Sequence, residues 1–494
     1  MICPQNNIAK IRFVTALISL LISSIAFYSA DIINRDGIFY MDMASTYNQG
    51  GLAGLLEFSH FGWPFFSIVV SHIHQITQLP FEISANVLNT LLFVLLTDTL
   101  VRLSNKILPN YRQVAVAALF FLCFLTLNHY RSFLGRDVGY WAFCTLALYQ
   151  FILYIEKPTI QKATLWQVFI ITAVLFRVDG IVILLCLPLY LFAIRPPIYA
   201  LKQCLQLFYL LSIGILAAML ITIEQSSLSL IFSKIVNITK YINPDSVLEA
   251  FNHKKNLIET QILNKYSERY SALILSSGLM VMLLYKLIKA LTLGYLGIYV
   301  YSWWGKTPLK TISYRSLVGY FLVLNIIILV GFMFTEYFVS KRYAVLAVIS
   351  LLLLMLPRIC DTVEKAWLSK HRPILVSVGL ILFISLADSL VKSNSKLYIK
   401  DVAIWASNNL PEKSAVITNN KIIKYYFDSR QPTAKISLTP NIDTYQNYDY
   451  LIVIEKDKYK ELKQQLTLMT IEPVFKLQNK RGNKATVYAI NPTP

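Results

Sequence analysis

Long apolar runs recur through most of this chain, separated by short polar stretches, and then stop near residue 391. Eleven of them predict helices, at about 12–29, 85–101, 113–128, 138–155, 163–177, 180–194, 205–223, 271–288, 316–334, 343–357 and 374–391. Several fall short of the ~20 apolar residues that cross a ~30 Å hydrocarbon core, but none alternates as a strand would. Between them lie a first long connection, 30–84, with an apolar stretch at 67–76 too short to cross and read as lying flat on a membrane, and a polar, partly helical connection at 224–270. The tail, 392–494, changes character. An apolar-sided helix at 398–410 ends at Pro411, buried strands are predicted at 415–418 and 450–454, an amphipathic helix at 457–466 and a closing strand at 485–490. The pattern predicts a polytopic α-helical membrane domain, 1–391, with about eleven transmembrane helices, followed by a small α/β domain, 392–494.

Charge orients this scheme. Lys10 and Arg12 precede the first run, which resembles a signal sequence; Tyr28 sits where a small residue would be needed for cleavage, so it is read as a retained helix. Arg102, Lys106 and Arg112, then Lys157 and Lys162, Arg195 and Lys202, Lys306, Lys310 and Arg315, and Arg358 through Arg372 fall in alternate connections. Basic residues collect on the cytoplasmic side, which puts the N-terminus inside and, with an odd number of spans, the tail outside. Lys286 and Lys289 break the alternation, and the apolar stretch that follows, to residue 304, is read as lying along the interface.

Composition narrows the classes. The chain is 56% hydrophobic with a net charge of +19, and the loop positions of the cations account for that charge without nucleic acid, since no basic-aromatic module accompanies it. Cys3, Cys123, Cys144, Cys186, Cys204 and Cys360 lie in or near apolar segments without a CxxC pair and read as small core hydrophobes. His72 and His74, two residues apart on a predicted helix, point away from each other, and no ligand cluster argues for a metal or another cofactor.

The candidate chemistry sits where the first helix meets water: Asp31, Arg35, Asp36, Tyr40 and Asp42 within twelve residues. Carboxylates at that boundary are costly without a solvated niche or a function. Asp36 is placed to accept a proton from an attacking hydroxyl, or else to cap a helix or pair with Arg35. The cations expected on the outer face are Arg35, Arg131, Arg136, Lys341 and Arg342, and arginine suits phosphate through its bidentate fork. Asp137 is placed to orient Arg136 or an acceptor, or to favour a helix start through the dipole.

Asp36, Tyr40 and Ala44 resemble the D-x-x-x-Y-x-x-x-small pattern that follows the first helix of GT-C glycosyltransferases. The likeness is closest to the branch of protein O-mannosyltransferases, the lipid A aminoarabinose transferase and bacterial relatives. Gly37 departs from it, since many relatives carry Glu there, and that leaves Asp31 or Asp42 as alternatives to Asp36. Further fragments follow in the same order: His60 with Trp63-Pro64; Arg136-Asp137 where relatives carry a second acid; Phe176-Arg177-Val-Asp179-Gly180 as an Arg-x-acid-Gly turn; Lys341-Arg342-Tyr343 opening a late helix; Asp401, Trp405, Pro411 and Tyr425-Tyr426 at the start of the tail.

The resemblance implies a bacterial inner-membrane enzyme that moves a sugar from a polyprenyl-phosphate donor, with inversion, to a glycan, glycolipid of lipopolysaccharide type, or protein in the periplasm. Asp36 and Asp137 would be catalytic, with Arg35, Tyr40, His60, Arg131, Arg136, Lys341 and Arg342 around the substrates. A transporter or flippase of lipid-linked sugars would instead show paired halves and polar or broken helices at mid-membrane; a silent scaffold would keep the helices and lose the chemistry.

Overall fold

The computed structural model describes residues 4–58, 63–222, 244–304, 314–390, 396–430, 435–438, 447–455, 471 and 473–491. In chain order the helices are α1 (Pro4–Tyr28), α2 (Arg35–Glu57), α3 (Phe65–Thr77), α4 (Phe81–Ile107), α5 (Tyr111–Leu122), α6 (Leu125–His129), α7 (Asp137–Glu156), α8 (Ile160–Phe176), α9 (Gly180–Cys186) and α10 (Leu191–Ile194). They continue as α11 (Pro197–Thr222), α12 (Pro244–Gln261), α13 (Ser271–Leu291), α14 (Leu293–Trp304), α15 (Arg315–Glu336), α16 (Val345–Leu368) and α17 (Arg372–Leu390). Every predicted apolar run is helical through its described residues. Among the described residues, eight helices are long and apolar enough to cross a membrane, while 160–176 and 180–194 are shorter.

The chain divides into two compact units. The first comprises residues 1–24, 44–131 and 136–389; the second comprises 25–43, 132–135 and 390–494. In the first unit α7 is apolar on every side and packs along α4 and α8, the position a helix without a polar face must take. Gly139 is what lets α7 approach so closely, because a Cβ there would run into the ring of Phe176. That ring stacks on Phe143 (5.8 Å between centroids) and meets Phe65 of α3 edge-on.

The two ends of this bundle differ in charge. At one end Asp98 accepts from Arg12 (2.6 Å) and Arg102 (2.7 Å), and Glu156 accepts from Lys106 (2.8 Å) and Tyr314 (2.7 Å). These are residues the alternation of basic loops places on one side. The opposite end carries Asp137, Arg177 and Arg342. The 286–304 stretch departs from expectation. Lys286 lies 5.8 Å from the Phe338 ring, and Thr126 donates to the Ala290 carbonyl, so α13 finishes at the Asp137 end. From there α14 runs along the bundle from Tyr295, packed on Phe120 and Phe124, to Trp303, over which Arg358 sits at 4.1 Å. The tertiary contacts of Tyr295 and Trp303 replace the interface position read from apolarity alone.

In the second unit the tail forms α18 (Leu397–Asn409), β1 (Ala415–Thr418), α19 (Lys421–Asp428), β2 (Lys435–Leu438), β3 (Tyr450–Glu455), β4 (Pro473–Gln478) and β5 (Lys484–Ala489). Sheet order is β2-β1-β3-β5-β4; β1 runs parallel to β2 and β3, and β5 antiparallel to β3 and β4. Ile417, Leu451 and Val453 form its core, and β3 is buried almost throughout, as a central strand covered on both faces must be. The helix predicted at 457–466 lies outside the described residues.

Candidate functional site

Three helix ends converge on Asp137. The acid opens α7, where the helix dipole favours a negative charge. Arg177 ends α8 in an extended conformation, and its carbonyl accepts from Gly180 (3.1 Å) in a tight turn that also carries Asp179. Arg342 lies in the turn before α16. Arg177 pairs with Asp137 through Nη1 and grips Asp179 through Nη2 and Nε, the latter at 2.8 Å. Arg342 Nη1 lies 3.7 Å from the other Asp137 oxygen.

Aromatic rings hold these cations in place. Tyr343 has Arg177 at 4.5 Å and Arg342 at 5.0 Å from its ring centre, and its hydroxyl accepts from Arg342 Nη2 at 3.1 Å. Tyr140 offers a second face to Arg177 at 5.5 Å. The crevice behind, between Tyr140, Trp141, Asn325 and Phe332, has about 10 Å³ of free space, no more than a water molecule needs. The cluster is open on its other side, where Arg342 (21% exposed) and Asp179 (22%) reach solvent. Arg177 and Arg342 offset Asp137 and Asp179, and the charge of Arg136 also acts on Asp137. Guanidiniums grouped in this way can meet a phosphate through paired N–H donors.

Other expected cations fare differently. Arg131 is turned into the bundle. It is 2% exposed, and its guanidinium donates to the Ser19 carbonyl (2.9 Å), Ser19 Oγ (3.0 Å), Ser23 Oγ (2.6 Å) and Asn128 Oδ1 (2.8 Å), over the Phe93 ring at 4.7 Å. It fastens α1 to the turn before Asp137 and cannot meet a phosphate without abandoning those bonds. Lys341 stands half-buried next to Arg342; burial, then the charges of Lys289 and Lys286, hold its ammonium below the ordinary lysine range. His60 lies outside the described residues. Trp63 donates to the Val174 carbonyl at 2.8 Å, tying the start of α3 to the helix that delivers Arg177.

Asp36, Arg35 and Tyr40 belong to the second unit and the Asp137 group to the first. Asp36 sits half-buried in the first turn of α2 with Arg35 exposed, and the i, i+4, i+8 spacing of Asp36, Tyr40 and Ala44 puts all three on one helix face. Tyr40 and Ala44 are buried. The segment before Asp36 is pinned on three sides. Asn34 exchanges two hydrogen bonds with the Leu134 backbone (3.0 and 2.8 Å), Ile33 N–H donates to the Tyr426 hydroxyl (2.9 Å), and Asp31 accepts from Lys396 N–H (3.5 Å). A Cβ on Gly37 would stand 2.9 Å from Asn34 Oδ1 and 3.2 Å from Leu134 Cβ. A side chain at position 37 would press on this clamp.

No family model matches the sequence, and no curated protein matches it. The structure is similar to that of the Archaeoglobus fulgidus oligosaccharyltransferase, solved with a tethered acceptor peptide containing the NVT sequon. The TM-score is 0.50 at 12% identity, over 97% of this chain and 74% of that one. The chain has the GT-C fold. Similarity to the mycobacterial arabinofuranosyltransferase AftD covers 98% of this chain and 40% of that one, with a TM-score of 0.45 and 12% identity. The chain is a polytopic helical membrane protein with a small C-terminal sheet domain. Arg177 and Asp179, which the sequence places in a turn and not among the candidate site residues, join this cluster through their ion pairs.

Proposed function

We propose that the protein is a membrane glycosyltransferase that moves a sugar from a polyprenyl-phosphate carrier to a glycan, glycolipid or protein acceptor, on the periplasmic face of a bacterial inner membrane. The observation that carries this reading is the pair of guanidiniums held on buried Asp137 at a helix-end junction of a GT-C fold. An acceptor hydroxyl attacks the anomeric carbon from the face opposite the phosphate. The new C–O bond forms as the bond to the phosphate oxygen breaks, which inverts that carbon, and the hydroxyl proton passes to Asp36. The phosphate leaves with its electron pair, and Arg342 with Arg136 stabilises the growing charge. Asp137, filled by two arginines, positions them; Arg177 is the strut between Asp137 and Asp179.

The test is mass spectrometry of lipopolysaccharide and surface glycans from a deletion strain carrying wild type, Asp36→Asn or Arg342→Gln. Loss of a sugar on deletion, restored by wild type and by neither variant at equal expression, supports the proposal. Full restoration by Asp36→Asn would move the proton acceptor to Asp31 or Asp42. Unchanged glycans on deletion would contradict transfer to a surface acceptor.

A further inference from the structure

At the end of the bundle opposite Asp137, α1, α5 and α16 leave an open cavity of about 450 Å³. Its walls are apolar, with Ile11, Val116 and Val363 facing in, and its rim carries Lys10 and Arg112. The other cations of α1 and α4 at this end are neutralised: Arg12 and Arg102 by Asp98, Lys106 by Glu156. Among the described residues no carboxylate pairs with Lys10 or Arg112. Glu364, on the same rim, is held by the amides of Asn110 (3.1 Å) and Gln113 (2.7 Å), and its charge acts on Arg112, which also bonds Tyr111, so the three charged groups leave the rim one net positive charge. Trp367, 70% exposed, stands beside the opening with Tyr111.

We infer that this cavity binds an anionic phospholipid of the surrounding bilayer, its phosphate on Lys10 and Arg112 and an acyl chain along the apolar walls. The chemistry is that of a boundary. Exposed tryptophan and tyrosine mark headgroup depth, and a basic recess between membrane helices holds acidic head groups. Size agrees, since the volume falls within the range of ~300–1,000 Å³ usual for ligand cavities. The sugar donor is not the occupant, because Glu364 lies about 30 Å along α16 from the Arg342 turn at 1.5 Å per residue. The site is thus separate from the arginine cluster and independent of what that cluster catalyses.

Native mass spectrometry of the purified full chain, titrated with phosphatidylglycerol or phosphatidylcholine, tests this. Wild type should retain phosphatidylglycerol about tenfold more tightly, with the preference falling as salt rises. Lys10→Gln with Arg112→Gln should abolish the preference. Ala115→Trp, which fills the wall and leaves both charges, should reduce binding of phosphatidylglycerol itself. Lys365→Gln, at the same end but paired with Asp361, should change nothing. Equal affinity of wild type for the two lipids overturns the inference, as does an equal effect of Lys365→Gln. Displacement of phosphatidylglycerol by a polyprenyl phosphate at lower concentration overturns the assignment of the occupant.

Discussion

Asp137→Asn keeps the shape of the side chain and removes the charge shared by Arg177 and Arg342. The four central groups then go from two acids against two bases to one against two. Breaking a buried ion pair by removing one partner costs about 3–5 kcal/mol, because the surviving charge stays desolvated. Here Arg177 is 9% and Asp137 7% exposed, so water screens the pair little. Two features pull the cost toward the low end. Arg177 keeps Asp179 at 2.8 Å, and Arg342, 3.7 Å away and 21% exposed, loses little. About 3 kcal/mol remains, an apparent melting midpoint lower by on the order of 3 °C in a chain of this size. The assay is thermal unfolding of purified protein in detergent at one fixed scan rate. Asp179→Asn, at the 22% exposed partner, should cost less than half as much. In a double-mutant cycle, Arg177→Met combined with Asp137→Asn should cost less than the two changes summed. An Asp137→Asn protein as stable as wild type, or strictly additive changes, would refute the shared-carboxylate account.

Other consequences are equally specific. Gly139→Ala drives a methyl into the Phe176 ring next to Arg177 and should destabilise by about 1–3 kcal/mol, read as a lower unfolding midpoint; an unchanged midpoint would contradict the close α7–α8 packing. Tyr426→Phe leaves the buried Ile33 N–H without its acceptor. The cost should be about 1–3 kcal/mol, read as faster proteolysis around residues 31–36; protection equal to wild type would mean that the hydroxyl does not hold the segment before Asp36. Lys341, depressed by burial and by Lys289 and Lys286, has more neutral amine at a given pH than an ordinary lysine. It should react first with an amine-directed reagent at about pH 8, and Lys289→Gln should slow it. By linkage, a lysine depressed in the folded state penalises folding below its folded pKa, and that penalty is relieved as pH rises toward the unfolded value.

Continuous apolarity sufficed to locate the membrane helices, because burial in lipid or in a bundle core demands an unbroken run. It also sufficed for β1, β3 and β5 of the tail, whose residues are buried together. It did not find β4, whose side chains alternate with solvent, nor the four-residue β2. Helix α2 was hidden for a different reason: Asp36, Asp42, Asn48 and paired glycines mask a helix whose buried face is only Tyr40, Met41 and Ala44 and their neighbours. Helix α19 was legible in principle, since Ile422, Ile423, Tyr426 and Phe427 keep helical spacing. The ion-pair cluster of the candidate site was half legible. Asp137 and Arg342 could be named from motifs, but their pairing crosses more than two hundred residues. Arg177 looked like an ordinary turn residue until Asp137, forty positions away, was brought against it. Arg131 misled for the same reason, because Ser19 and Ser23, which bury it, lie over a hundred residues upstream.

The central claim is that Arg342, steadied by Asp137, serves a phosphate leaving group. It is tested most directly by purified protein in vesicles, given a polyprenyl-phosphate sugar and a surface-glycan acceptor, with released polyprenyl phosphate measured over time. Release with wild type, lost in Arg342→Gln and in Asp36→Asn while both variants stay folded, is the predicted result. Release at the wild-type rate in Arg342→Gln would contradict the account.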